Sequence, residues 1–161
     1  MSTPLSENPQ HLERLCAALD IGSPTAALAA VAGGYHHRMW RLESRGGTYA
    51  IKQLSVDADV SNADTVGHYN VTETIAETFA GLGVPAISAL EHDGNFLQVI
   101  GSEGYLVYPW RSGTALDIFQ ISTEHALEVA RIIARMHRAD ITVSGVNRLQ
   151  FETLAEDKIL Q

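Results

Sequence analysis

Two glycine pairs, Gly33-Gly34 and Gly46-Gly47, cut the segment 27–54 into three short runs, 27–32, 38–43 and 48–54. Connectors this short leave no room for a crossover helix. The runs are therefore expected to pair as successive antiparallel strands. A second group of strand candidates lies at 86–91, 96–100 and 105–110, with Asp93-Gly94 as the turn between its first two members and 101–104 between the last two. Between the groups, Val71, Ile75, Phe79 and Leu82 recur at helical spacing and predict a helix over 65–82, closed by Gly83 and Pro85. The polar stretch before it, with Asp57, Asp59, Asn62 and Asp64, reads as a loop.

The flanks are helical. Leu12, Leu15, Cys16 and Leu19 share one face of a short helix over 9–19, which Gly22-Ser23-Pro24 ends. After Gly113 the strand pattern stops. Leu127, Ala130, Ile133, Ala134 and His137 fall on or near one face of a helix over 123–138, and 151–160 begins another. The chain shows no internal repeat. The expected class is α+β: an antiparallel sheet of about five strands with one long helix, then the start of a helical unit. Three parts follow: an N-terminal helical segment 1–25, a sheet unit 26–109, and 110–161 as connector and helices.

Composition narrows the function classes. With 161 residues, 45% of them hydrophobic and 19% charged, the chain is long enough to bury a core. A formal charge of -8 repels phosphate backbones and disfavours a nucleic-acid partner. The one cysteine, Cys16, cannot form an intramolecular disulfide and is expected to be buried and inert. Residues 1–20 lack a basic stretch followed by an apolar one, and the most apolar run, 26–32, is too short to span a bilayer. The expectation is a cytoplasmic protein with no membrane partner.

Lysine is scarce: the chain has Lys52 and Lys158 and no others. On a strand, Ala50 and Lys52 share one face and Ile51 takes the other. A small residue beside an ammonium suits a flat base and its phosphates, whereas the tripeptide alone suits equally an edge-strand lysine reaching water. The neighbours favour the first reading. Gly33-Gly34 lets the backbone approach a phosphate, with His36 and His37 following; Glu73 and Glu77 lie on the long helix as partners for Lys52. Neither lysine is preceded by a phosphate-loop motif of the Gly-x-x-x-x-Gly-Lys-Ser/Thr type, and no strand–helix alternation supports a dinucleotide fold. His36-His37 point apart and do not share a metal, His92-Asp93 enters a hairpin, and His137 is expected as a hydrogen-bonded core histidine.

In this order, Gly33-Gly34 through Trp40-Arg41-Leu42, Tyr49-Ala50-Ile51-Lys52, Gly83-Val84-Pro85 and the run 105–113 resemble the aminoglycoside phosphotransferase and choline kinase family. The resemblance spans about 28–137. It implies a protein-kinase-like fold, with the N-lobe over 26–109 and the hinge and first helices of a C-terminal lobe over 110–161. It implies ATP as ligand: Gly33, Gly34, His36 and His37 in the phosphate loop, Ala50 at the base, and Lys52 on the α/β-phosphates. Counting back from Gly83, Glu73 is the implied partner of Lys52, with Glu77 second. At the hinge, Tyr108 takes the gatekeeper place, Pro109 offers its carbonyl to the adenine, and Arg111 offers its N–H.

The family's His-Gly-Asp motif is absent, since none of the seven histidines precedes Gly-Asp. No catalytic residue is therefore assigned in this chain, and Mg²⁺ is expected only with the remainder of a C-terminal lobe. The expected activity is transfer of the ATP γ-phosphate to a small-molecule hydroxyl acceptor by a longer protein whose N-terminal part this is. The alternative is a complete, non-catalytic nucleotide-binding or interaction module derived from that family. Self-association through an exposed 123–138 helix is a further expectation.

Overall fold

The computed structural model describes residues 3–32, 36–139 and 141–144. Among these, a five-stranded antiparallel sheet is combined with three α-helices. In chain order the elements are α1 (Pro9–Ala18), β1 (Ala29–Val31), β2 (Arg38–Ser44), β3 (Gly47–Gln53), α2 (Ala63–Gly81), β4 (Gln98–Ile100), β5 (Glu103–Pro109) and α3 (Thr123–Arg138). The strand order is β1-β2-β3-β5-β4, so β3 lies at the centre.

The glycine punctuation acts as the sequence implies at the β2–β3 connection. Ser44 pairs with Gly47, which leaves Arg45 and Gly46 as a two-residue turn. That turn is pressed onto the segment after α1: the Gly46 N–H donates to the Ile21 carbonyl at 3.0 Å. A Cβ on Gly46 would meet the same oxygen at 2.5 Å, so no side chain fits there. Asp93 and Gly94 both have positive φ, at 49° and 77°, between the bridged pair His92 and Asn95. This is the two-residue hairpin turn that Asp-Gly favours.

Strand β3 divides the core in two. Ile51 packs on the α1 side with Leu15, Leu42, Tyr105 and Val107. Leu54, just past the strand, packs on the α2 side with Leu106, Phe96 and Leu97. Alternation then places Gln53 with Ile51, and Ala50 and Lys52 on the α2 side. Gln53 is fully buried, and its amide is fully engaged. Its Oε1 accepts from the Leu5 N–H at 3.0 Å and the Trp40 indole N–H at 3.2 Å. Its Nε2 donates to the Thr3 carbonyl at 2.8 Å and to Glu103 at 3.3 Å. One side chain thus fastens the chain's first turn to the middle of the sheet.

The structure corrects three expectations. Residues 86–91 are extended but are not a strand. Only the Leu90 N–H joins the sheet, donating to the Val107 carbonyl at 2.7 Å. The Ala89 N–H goes instead to a side chain of α2, so no ladder forms. The second correction concerns α2. The side that meets the sheet carries Val66, Tyr69 and Glu73, and Glu73 is its one buried residue. Val71 and Ile75 each sit two positions on, about 200° around the helix at 3.6 residues per turn, and are half-buried. Hydrogen bonds decided this face: Asn70 accepts from the Phe96 and Leu97 amides at 2.8 and 2.9 Å, and Glu73 is held similarly.

The third correction is His137, which is exposed and not in a core. Helix α3 runs over the predicted 123–138 and is capped by Ser122, but Leu127, Val129 and Ile133 are all exposed. Its link to the sheet unit is the Arg135 guanidinium, which donates to the Gly83 carbonyl. No described element covers the face that holds His137. The helix expected over 151–160 lies outside the described residues. Among the described residues, no helix is long and apolar enough to cross a membrane.

Gln53→Leu should test the anchoring of the first turn. It conserves bulk but strands two buried donors, the Leu5 amide and the Trp40 indole. At roughly 1–3 kcal/mol per unpaired buried group, the expected loss is about 2–6 kcal/mol, read as a lower urea midpoint with an unchanged slope. A loss below about 0.5 kcal/mol, the range of ordinary surface substitutions, would contradict this role.

Candidate functional site

Lys52 occupies the central strand, opposite Met39 of β2 and Leu106 of β5. Its side chain is half-buried, and Nζ lies 6.0 Å from the centre of the Tyr69 ring. No carboxylate lies within ion-pair distance of Nζ among the described residues. A cation held against an aromatic face and lacking an acidic partner retains its charge for an anion that approaches from outside.

His37 stands nearby. Its Nδ1 accepts from the Ser55 N–H at 3.1 Å. That contact requires an unprotonated Nδ1 and leaves any ring proton on Nε2. Burial, then the Lys52 charge and His36, lower its pKa and favour the neutral ring. His36 is exposed. Gly33 and Gly34, expected in the phosphate loop, lie outside the described residues.

Glu73 is the buried carboxylate of this face, 6% exposed. Its Oε1 accepts from the Tyr108 hydroxyl at 2.7 Å and its Oε2 from the Ala89 N–H at 2.8 Å. Each oxygen of this buried side chain thus has a hydrogen-bond donor, as a buried polar group requires. Glu77, one turn on, is exposed. Of the two glutamates singled out in the sequence, the structure brings Glu73 to the sheet, bonded to Tyr108 and Ala89 rather than to Lys52.

Tyr108 is opposite Ala50 across the β3–β5 pair, so the two share the face that carries Lys52. Pro109 pairs with Tyr49, and the Trp110 N–H donates to the Thr48 carbonyl at 3.0 Å. The Arg41 guanidinium lies 5.0 Å over the Trp110 ring. Arg111 follows, exposed and outside regular secondary structure. The structure therefore gathers Ala50, Lys52, Tyr108 and Glu73 on one side of the sheet, with Pro109 as the last residue of β5 and Arg111 just beyond it.

Sequence reasoning missed Tyr69 and Ala89. Tyr69 was findable, since it precedes Glu73 by four residues and shares its helix face. Ala89 acts through its main-chain N–H, which no residue type announces. Two open clefts, of about 680 and 550 Å³, lie elsewhere: one between 54–61 and 101–104, the other along α1 and 20–24. Neither is lined by Lys52, Glu73 or Tyr108. Their volume does not mark the chemistry, because the charged groups converge on the sheet face. Among the described residues, no group of three or more His, Cys, Asp or Glu could hold a metal ion.

Burial, followed by hydrogen bonding to a carboxylate, raises the pKa of two tyrosines: Tyr108 by way of Glu73, and Tyr105 by way of Glu103. A raised folded-state value means that the unfolded chain loses these protons first. The stabilisation is then complete below the unfolded tyrosine value near roughly 10 and declines as pH rises above it. In an alkaline titration followed at the phenolate band, two of the five tyrosines should ionise only together with unfolding. Smooth ionisation of all five in the folded protein would contradict the Tyr108–Glu73 and Tyr105–Glu103 contacts. No family model matches this chain, and no curated protein matches it significantly.

Proposed function

We propose that this chain is a nucleotide-binding unit of the kind found in the N-terminal lobe of the aminoglycoside phosphotransferase and choline kinase family. In this reading, ATP lies with its phosphates at Lys52 and its base beside Ala50 and the Tyr108–Arg111 rim. The chain serves transfer of the γ-phosphate to a small-molecule hydroxyl acceptor, in concert with a helical lobe that follows α3. The observation that carries the reading is a half-buried Lys52 on the central strand, without a carboxylate partner among the described residues and on the same face as Ala50 and Tyr108.

The chemistry of the groups fits a nucleotide. The ammonium of Lys52 supplies the charge, and the neutral His37 beside it adds no repulsion toward that ammonium. Ala50 leaves space on the sheet, and Arg111 is exposed just beyond Pro109. Phosphoryl transfer also needs metal ions and a residue that orients the acceptor hydroxyl. The described residues offer the lysine and the rim alone, so the reading assigns binding to them and no turnover.

Calorimetry with ATP tests this. Expected is weak binding, on the order of millimolar, little changed by Mg²⁺. Lys52→Met should weaken it by about tenfold, as removal of one partly screened unit charge contact implies. Absence of ATP binding, or binding indifferent to Lys52→Met, would overturn the reading. A phosphate-transfer assay with an aminoglycoside and choline panel should show no product from this chain.

A further inference from the structure

Arg41 of β2 lies directly opposite Ala50 on β3 and opposite Ala29 on β1, so a small side chain flanks it on each neighbouring strand. Directly opposed residues share a face of the sheet, which puts Arg41 on the side that carries Ala50, Lys52 and Tyr108. Its guanidinium is held at two points. Nη2 lies 3.0 Å from Glu43 Oε1, and Cζ lies 5.0 Å from the centre of the Trp110 ring. Its Nε is buried and has no hydrogen-bond acceptor among the described residues. A buried donor left unpaired is destabilising, and native structures keep few of them. Trp110 follows Pro109, the last residue of β5, and its main chain is fixed by the N–H donated to the Thr48 carbonyl. Its side chain is half-buried. The ring is therefore able to change rotamer while its backbone stays in place.

We propose that Arg41 is a base-recognition residue: on nucleotide entry the Trp110 ring shifts off the guanidinium, and an acceptor atom of the base takes the Arg41 Nε–H. This deepens the nucleotide-binding reading and rests on it for placing the base beside Ala50. Glu43 offsets the charge of Arg41, so the new contact is directional and adds little to the attraction for phosphate. Recognition is then divided along one face of the sheet. Lys52 answers the phosphates, and Arg41, directly across from Ala50, answers the base.

Calorimetry with two ligands separates these roles. ATP carries a base, and tripolyphosphate carries charge alone. The variant is Arg41→Lys, which keeps the positive charge but has neither an Nε–H nor a planar group to lie on the indole. It should weaken ATP binding by about fivefold, the size of one hydrogen bond, and leave tripolyphosphate binding unchanged. Lys52→Met should weaken both. Ribose 5-triphosphate, which has the sugar and no base, should respond to Arg41→Lys as tripolyphosphate does. Tryptophan emission reports the ring. The chain has two tryptophans, and Trp40 is buried with its indole N–H on Gln53. ATP should change the emission, tripolyphosphate should not, and the change should be absent in Trp110→Phe.

Should Arg41→Lys fail to fold, the emission of the wild-type protein decides the matter. A change with ATP and none with tripolyphosphate supports the proposal; an unchanged emission with ATP bound overturns it. The proposal falls equally if Arg41→Lys weakens ATP, ribose 5-triphosphate and tripolyphosphate alike, or weakens none of them. If Lys52→Met weakens ATP in those cases, the nucleotide-binding reading stands without Arg41. Wild-type protein that binds ATP no more tightly than ribose 5-triphosphate recognises no base, and both readings then fail.

Discussion

A buried carboxylate dictates much of this structure. Glu73 ties three segments distant in sequence: helix α2, the C-terminal end of β5 through Tyr108, and the 84–91 segment through Ala89. A charge at 6% exposure is tolerated only when its oxygens are hydrogen-bonded. That requirement fixes the rotation of α2, withdraws the Ala89 amide from any strand ladder and orients the Tyr108 ring. The same three consequences shape the surroundings of Lys52, so local electrostatics and fold are one problem here.

The two faces of β3 divide support from chemistry. On one side, Gln53 gathers Leu5, Trp40, Thr3 and Glu103 into a buried polar network. Next to it, Tyr105 donates to Glu103 and contacts His11 of α1. Because Tyr105 has a single hydroxyl proton and spends it on Glu103, His11 Nδ1 is the donor in the other contact. This network holds the N-terminal segment against the sheet. The opposite face carries Ala50, Lys52 and Tyr108. A strand braced on one side by dense packing and hydrogen bonds keeps the other side's lysine in place with little added strain.

Helix α3 stands apart in kind. Its Ser122 cap and alternating apolar spacing specify the helix locally. Its charged side, through Arg135, is the side bonded to the sheet unit at Gly83. The apolar residues Leu127, Val129 and Ile133 remain exposed. Among the described residues no element packs on that apolar face, so what they supply to the helix is its Ser122 cap and its own backbone ladder.

The sequence by itself determined those features that local geometry controls. The Gly46-Gly47 and Asp93-Gly94 turns were legible because few residues accept such backbones or such close approach. The bounds of α3 followed from its apolar periodicity. Lys52 stood out through scarcity and the alternation of Ala50, Ile51 and Lys52. Tertiary structure alone decided the rest. The apolar spacing of Val71 and Ile75 suggested one face of α2, whereas the hydrogen bonds of Asn70 and Glu73 chose nearly the opposite one. The 86–91 run had strand composition, but its amides found a side chain and just one carbonyl of the sheet in place of a ladder. The partners of Glu73 are a hydroxyl 35 residues away and a main-chain N–H 16 residues away. Neither is written in residue type or spacing, because a buried charge is satisfied by whatever donors the completed fold brings within reach.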